Sequence, residues 1–391
     1  MNSVDYRYSD YAERLTPSAI RALASVASPE DTIRLGPGEP DPDLFALGEF
    51  REAIDDLLSD GQEGRKALQY APTAGSLELR RHICLHMIER GVEAAPENVL
   101  VVSGAQQGIH LASSAFLNPG DRALVQTPTY PGALQILAAC GAVVADMNET
   151  SGDEKAGLVY AMSTFQNPTG ITLSEIDRRR ILQIARDRDA VLVEDDPYEA
   201  LRFDGAPVRC LLSLDAEDRT IDETRTLYLG TFSKSIAPGL RLGWIVGARP
   251  VIEKLTLMKQ AEDLQVGTLA QSALVHLLDR GMEPLTDRLR TAYRARRDAM
   301  LEALRTEFGN RGTWNVPEGG FFVWVTLPTD MDAASLLREA AALGVTFVPG
   351  SAFTHDGTCR NALRLSYSSV PVDRMAEAIR RLARAFDNLA V

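Results

Sequence analysis

The sequence predicts an α/β protein: a large domain with a mostly parallel sheet between helices, plus a small α+β domain. Three observations carry this. The chain has 391 residues, more than a single core of roughly 250 to 300 residues accommodates. Between about residues 98 and 247, short aliphatic runs alternate with segments of helical spacing. That order builds a parallel sheet with ligands at the carboxyl ends of its strands. Beyond about residue 309 the pattern changes to strand, turn, strand, helix and further short strands. No internal repeat, low-complexity tract or Gly/Ser linker divides the chain, so boundaries come from element order. They are expected at 1–45 for an N-terminal arm and part of the small domain, 46–285 for the large domain and 286–391 for the small C-terminal domain.

In chain order, NVLVVSG, RALVQTP, LVYAMST, AVLVEDD, TLYLGTF and LGWIVG read as buried strands. Unbroken Val/Leu/Ile runs are what a sheet covered on both faces requires. Between them AQQGIHLASSAFL, YPGALQILAAC and SEIDRRRILQIARDR have helical spacing. Residues 249–309 carry two long helical patterns rich in Arg, Glu, Leu and Ala. TWNVPEGGFFVWVTLP then reads as strand, turn and strand, followed by a helix, VTFVPGSAF, ALRLSYSS and a last helix from Val372.

Bulk composition narrows the function. A hydrophobic share of 45% with 24% charged residues is ordinary globular composition. The net charge of -13, from 54 acidic against 41 basic side chains, argues against a nucleic-acid partner, whose phosphates attract clustered Lys and Arg. Cys84, Cys140, Cys210 and Cys359 lie far apart without a C-x-x-C pair, so neither a zinc site nor a disulfide framework is expected. The start, MNSVDYRYSDYAERL, lacks a basic stretch and an apolar core, and no run reaches the roughly 18 apolar residues of a membrane span. A soluble cytoplasmic protein with no membrane partner is expected. His82 and His86 have the spacing of a helical metal pair, but H-I-C-L-H lacks the glutamate of the metallopeptidase motif. They are read as helix-face residues, with no metal site.

Three segments point to chemistry. In TLYLGTFSKSIAPGLRLGW, residues 226–244, a strand runs into a polar turn holding Lys234, and Arg241 follows seven residues later. A lysine forms an imine only when its amine is neutral part of the time, which burial and nearby positive charge favour. Arg241 supplies such charge and presents a fork of donors that suits a phosphate. Thr231 and Ser233 would complete a phosphate cup. In VLVEDDPY, residues 191–198, a buried strand ends in acids, where a carboxylate could pair with a protonated ring nitrogen. Tyr198, three residues on, could donate to a phenolic oxygen. In SGAQQGIHLASSAFL, residues 103–117, a glycine turn opens a helix whose start suits a phosphate. Gly104 and Gly108 do not form the G-x-G-x-x-G dinucleotide pattern, and there is no Walker lysine. Read alone, each segment also fits a surface turn or a solvated loop.

Together these segments resemble fold-type I, class I/II aminotransferases, specifically the branch of 2-aminoadipate and kynurenine aminotransferases. The resemblance is nearly full length. It rests on SAIRAL, GEPDPDLF, LQYAPTAGSLELR, VVSGAQQG, TPTYPGA, STFQNPTG, VEDDPY, TFSKSIAPGLRLG, EGGFFVW, FVPGSAF and LRLSYSS, in the family's order. It implies a fold with a mostly parallel seven-stranded sheet and pyridoxal 5'-phosphate as cofactor. It also implies transfer of an amino group from an L-amino acid, of aminoadipate, aromatic or branched-chain type, to a 2-oxo acid by a ping-pong mechanism.

Carried over residue by residue, the resemblance makes Lys234 the Schiff-base lysine and proton shuttle. Asp195 would hold the pyridine nitrogen, Asn167 and Tyr198 the phenolic oxygen, and Tyr130 would stack on the ring. The phosphate would meet Gly104, Ala105, Gln106, Thr231, Ser233 and Arg241. The tyrosine matching Tyr70 reaches the phosphate from the neighbouring subunit in the family, so a homodimer with shared active sites is implied. Arg364 matches the arginine for the substrate α-carboxylate, a two-pronged task. Arg21 matches a residue of a mobile N-terminal helix that meets substrate side chains, and Gly38 lines the pocket with backbone alone.

Some features depart from that pattern. NETSGDEKAG fills the place of a peripheral helix in relatives, so a short loop is expected there. Ala105 replaces a frequent serine, leaving a backbone contact. Glu39 stands at the pocket mouth where close relatives tend to be apolar, and its charge is expected to disfavour dicarboxylic substrates. The same cofactor site could also support β-elimination or decarboxylation, since its electronics serve any carbanion. A transcription regulator with this fold is a further alternative, but too little sequence precedes IRLGPGEP to hold a DNA-binding domain.

Overall fold

The computed structural model describes residues 6–17, 29–148 and 154–389. Its strands are β1 (Ile33–Arg34), β2 (Val99–Val102), β3 (Arg122–Val125), β4 (Val143–Asp146), β5 (Leu158–Ala161), β6 (Val191–Asp195), β7 (Thr226–Thr231), β8 (Gly243–Val246), β9 (Thr313–Trp314), β10 (Phe322–Thr326), β11 (Val345–Thr346), β12 (Val348–Pro349) and β13 (Ala362–Ser366). The large sheet has seven strands in the order β2-β8-β7-β6-β5-β3-β4. β8 runs antiparallel to both its neighbours, and every other pairing is parallel. The six expected strands all lie in this sheet, and VVADM supplies the seventh.

Burial explains the aliphatic runs. Every residue of β2, β5, β7 and β8 is buried. Successive side chains of a strand point to opposite faces, so Leu100 and Val102 join one core with Ile109, Leu111 and Leu229. Val99 and Val101 join another with Leu79, Ile83, Tyr228 and Trp244. The helices Ala105–Phe116, Pro131–Ala139 and Glu175–Asp187 fall where the spacing predicts them. Ser174 caps the last of these by accepting the Asp177 N–H at 3.2 Å.

Residues 249–309 differ from expectation. Three helices form instead of two: Arg249–Glu262, Thr268–Asp279 and Glu283–Ala303. The first break contains Leu264 at φ 65° and the second Gly281 at φ 88°, conformations no helix interior allows. Gly267 in the first break, and Gly281 with Pro284 at the second, are sequence signals that a continuous Leu/Ala/Arg/Glu-rich pattern passes over.

A second sheet, β12-β13-β10-β9, is antiparallel throughout. The strand-turn-strand reading of residues 313–326 holds as β9 and β10, and the last helix spans Val372–Leu389. β1 pairs in parallel with β11, Ile33 opposite Val345. In the stretch expected to form a loop, Asn148 and residues 154–157 are not helical, and residues 149–153 lie outside the described residues.

One ion pair sits wholly inside the large domain. Glu194 accepts from the Ser163 hydroxyl at 2.6 Å and from the Leu211 and Leu212 amides at 2.9 and 3.1 Å. Arg178 donates to the Ser163 and Leu173 carbonyls at 2.8 and 3.1 Å, and its Nη1 lies 3.7 Å from Glu194. Both side chains are excluded from solvent. Removing one partner strands a buried charge, so Arg178→Met should lower unfolding free energy by about 3–5 kcal/mol in urea titration. The neighbouring Arg179, which is surface-exposed, should tolerate alanine with little change.

Candidate active site

The carboxyl ends of the parallel strands converge on a cavity of about 270 Å³. β7 and its following turn contribute Thr231, Ser233, Lys234 and Arg241. The end of β6 contributes Asp195 and Tyr198, and the helix after β2 contributes Ala105 and Gln106. Tyr130, Asn167, Gly38 and Arg364 complete the wall, with Glu39 at the exposed rim. Twelve sequence-derived positions therefore meet in one place. Gly104 stands just behind, as the N-cap of the helix Ala105–Phe116. Tyr70 is 76% exposed and not part of this wall, and Arg21 lies outside the described residues.

One end of the cavity is built for an anion. Gly104 has φ 81°, and a Cβ there would lie 2.7 Å from Nη2 of Arg241. Only glycine lets the arginine lie against the helix start, where free N–H groups and the helix dipole attract negative charge. Arg241 is itself left-handed, at φ 51°, and donates to the Pro238 and Ser103 carbonyls at 3.2 and 3.0 Å. Thr231 Oγ1 lies 3.0 Å from Ser233 Oγ and accepts the Ser233 N–H at 3.1 Å. Tyr130 donates to Gln106 Oε1 at 3.1 Å.

Three consecutive acids have three fates. Glu194 is consumed by the interior pair described above. Asp196 accepts from Arg90 Nη2 at 2.7 Å and Tyr228 lies 3.3 Å away, on the opposite side of the strand from Asp195. Asp195 faces the cavity: its Oδ2 accepts from the Tyr160 hydroxyl at 2.6 Å, while its buried Oδ1 has no partner. Burial pushes the Asp195 carboxyl up to about 6, against the opposing effects of Tyr160 and Lys234.

Lys234 Nζ donates to the Gly38 carbonyl at 3.2 Å. Burial lowers its pKa to about 8; the positive charges of Arg364 and Arg241 add to this, and Glu39 and Asp195 oppose it. A substantial fraction of this amine is therefore neutral near physiological pH, as a nucleophile requires. Arg364 is fully buried between the rings of Phe322 and Phe353, 4.2 and 4.9 Å from their centres. Its Nη1 donates to Asn167 Oδ1 at 2.7 Å, while Nε has no partner. Burial lowers its pKa to about 10 and raises that of Tyr198. A Cβ at Gly38 would lie 2.7 Å from Phe322, so the backbone must pass bare.

Sequence reasoning missed Tyr160, the aromatic clamp on Arg364, and Ile109 and Met162 in the wall. The one available signal for Tyr160 was a tyrosine in the buried run LVYA, whose hydroxyl needs a partner. A second cavity, also about 270 Å³, lies behind the Lys234 turn and includes His82, His86, Phe232 and Trp244. It contains neither lysine nor arginine. His82 and His86 face Asp279 and Glu199 at 2.9 and 3.4 Å.

The profile of the aminotransferase class I and II family matches residues 30–382. Aromatic-amino-acid aminotransferase 1 of Thermococcus litoralis is 36% identical over 402 aligned residues, covering 97% of this chain and 94% of that protein. The crystal structure of a Pyrococcus horikoshii kynurenine aminotransferase in complex with PMP is similar with a TM-score of 0.90 and 34% identity, covering 98% of each chain. That of an alpha-aminoadipate aminotransferase from Thermus thermophilus, complexed with N-(5'-phosphopyridoxyl)-L-leucine, gives 0.88 and 34%, again covering 98% of each.

The lowered pKa of Lys234 can be read directly. In ligand-free protein, its acylation by an amine reagent, followed by peptide mass spectrometry, should rise with pH to a midpoint near 8, well below the ~10.4 of ordinary lysines. Arg364→Met removes a positive neighbour and should move that midpoint upward.

Proposed function

The chain belongs to the class I and II aminotransferases and is a pyridoxal 5'-phosphate-dependent amino-acid aminotransferase, and from that premise we propose how its residues share the reaction. The observation that carries the assignment is the pairing, in one cavity, of a buried lysine with a pKa near 8 and a buried carboxylate with one unpartnered oxygen. The anion cradle beside them fits the cofactor's phosphate, and Asp195 Oδ1 fits its protonated ring nitrogen. When bound, the cofactor supplies a carbonyl carbon for amines and a ring that withdraws electrons from the substrate Cα.

Lys234 Nζ would hold the cofactor at its carbonyl carbon and, when free of it, would be the neutral base for the substrate Cα proton. The same amine could hand the proton back, so one residue would serve both half-reactions of a ping-pong cycle. Asp195 keeps the ring nitrogen protonated, Asn167 and Tyr198 face the phenolic oxygen, and Tyr130 covers the ring. Gly104, Ala105, Gln106, Thr231, Ser233 and Arg241 hold the phosphate. Arg364 offers its fork to the donor's α-carboxylate, and the rings of Phe322 and Phe353 fix the plane of that fork. Gly38 leaves room for the substrate, and Arg21 is assigned to its side chain.

We further read the protein as a homodimer in which Tyr70 serves the neighbouring subunit's phosphate. Support comes from its exposure outside its own cavity and from the nearby exposed apolar Leu68 and Leu264. A cytoplasmic setting agrees with four unpaired cysteines, and among the described residues no helix is long and apolar enough to cross a membrane. The grouping of the N-terminal arm with the small C-terminal domain is supported by the pairing of β1 with β11.

For the donor, Glu39 at the rim favours aromatic or aliphatic side chains over dicarboxylic ones. Lys234→Ala should abolish transamination while leaving the fold intact by circular dichroism. Glu39→Gln should raise kcat/KM for 2-aminoadipate or glutamate relative to leucine by roughly 5-fold, the scale of one exposed charge pair. A panel of amino donors, scored by bleaching of the bound cofactor's absorbance, measures both; a wild-type enzyme that prefers glutamate strongly over leucine refutes the role of Glu39.

A further inference from the structure

Asp195 has one hydrogen-bond donor among the described residues, and it comes from another strand. In the β5–β6 register Tyr160 lies opposite Val193, and Asp195 is two residues further along the same face. With parallel strands roughly 4.8 Å apart and a rise of about 3.3 Å per residue, such diagonal neighbours are roughly 8 Å apart at the backbone, a gap that a phenol spans and a serine or threonine cannot. The Tyr160 ring is fully buried and its hydroxyl donates to Oδ2 at 2.6 Å. A short bond of this kind to a charged acceptor is among the stronger ones. It leaves Oδ1 unpartnered in the cavity wall.

We propose that Tyr160 is a positioning residue that keeps Asp195 ionised and turned so that Oδ1 meets the cofactor's ring nitrogen. The proposal rests on the assignment of Asp195 to that nitrogen. Burial alone favours the protonated acid, which would offer a proton where the ring nitrogen needs an acceptor. The other titratable groups around it are Lys234 from the turn after β7, Tyr198 from the turn after β6, and Tyr130 before the helix Pro131–Ala139. Lys234 supplies charge without a hydrogen bond, and its amine is committed to the cofactor. Tyr160 is then the group left to hold the carboxylate.

The test compares pyridoxal 5'-phosphate with its 1-deaza analogue, in which carbon replaces the ring nitrogen, as probes for the apoenzyme. Affinities are measured by absorbance titration at pH 7.5, alongside the apoenzyme's thermal midpoint. Wild-type protein should prefer the nitrogen-containing probe. Tyr160→Phe keeps the ring and its packing, and should cut that preference roughly 10- to 100-fold, the value of a hydrogen bond to a charged group, through weaker binding of pyridoxal phosphate alone. Raising the pH should restore part of it, because the Asp195 carboxyl is then ionised without help. Tyr160→His, which retains a ring donor, should recover much of the preference and gives the same comparison should the phenylalanine protein be too unstable to purify. Equal weakening toward both probes, or an unchanged preference in both variants, overturns the proposal. A wild-type apoenzyme that does not distinguish the probes refutes instead the assignment of Asp195 on which it stands.

Discussion

Desolvation of Lys234 governs this site, because an ammonium buried beside Arg364 and Arg241 is costly and a neutral amine is not. The surroundings follow from that constraint. Asp195 and Glu39 pull in the other direction, which leaves the amine near neutrality instead of permanently uncharged. The arginines are held elsewhere: Arg241 by backbone carbonyls and the bare Gly104, Arg364 by two aromatic rings and Asn167. Each positive charge thus has its own support, and none depends on the lysine as a partner.

The acids at the end of β6 show how a strand sorts chemically similar groups. Alternation sends Glu194 and Asp196 to one side and Asp195 to the other. Glu194 is met by Arg178, Ser163 and two amides, and Asp196 by Arg90. Asp195 and Asp196 each keep one buried oxygen without a hydrogen bond, but only Asp195 belongs to the wall of the Lys234 cavity, whereas Asp196 is ion-paired with Arg90. The ion-paired carboxylate contributes to the fold, and the one in the cavity wall is an open valence for a ligand.

Much of this was legible because the segments are local and ordered. The alternation of runs in 98–247 implied the sheet, and the residues around Lys234, Asp195 and Gly104 carry their chemistry within a few positions. What escaped depends on distance along the chain. Tyr160 finds Asp195 only through strand register, 35 residues apart, and Phe322 and Phe353 find Arg364 only after the small sheet forms. Among Glu194, Asp195 and Asp196, the choice needed knowledge of which face is covered by protein; the family resemblance supplied it where periodicity could not. The breaks at Leu264 and Gly281 carry glycine and proline signals, at Gly267, Gly281 and Pro284, that the Leu/Ala/Arg/Glu-rich pattern on either side outweighed.

The pairing of β1 with β11 ties a segment near the start of the chain to one made about 300 residues later. During synthesis the early strand must therefore wait, unpaired, until almost the whole polypeptide has left the ribosome. The large sheet closes earlier: its longest-range pairing, β2 with β8, is complete once residue 246 has emerged. Assembly of the two-stranded join is thus a late checkpoint, passed only by chains translated past residue 346.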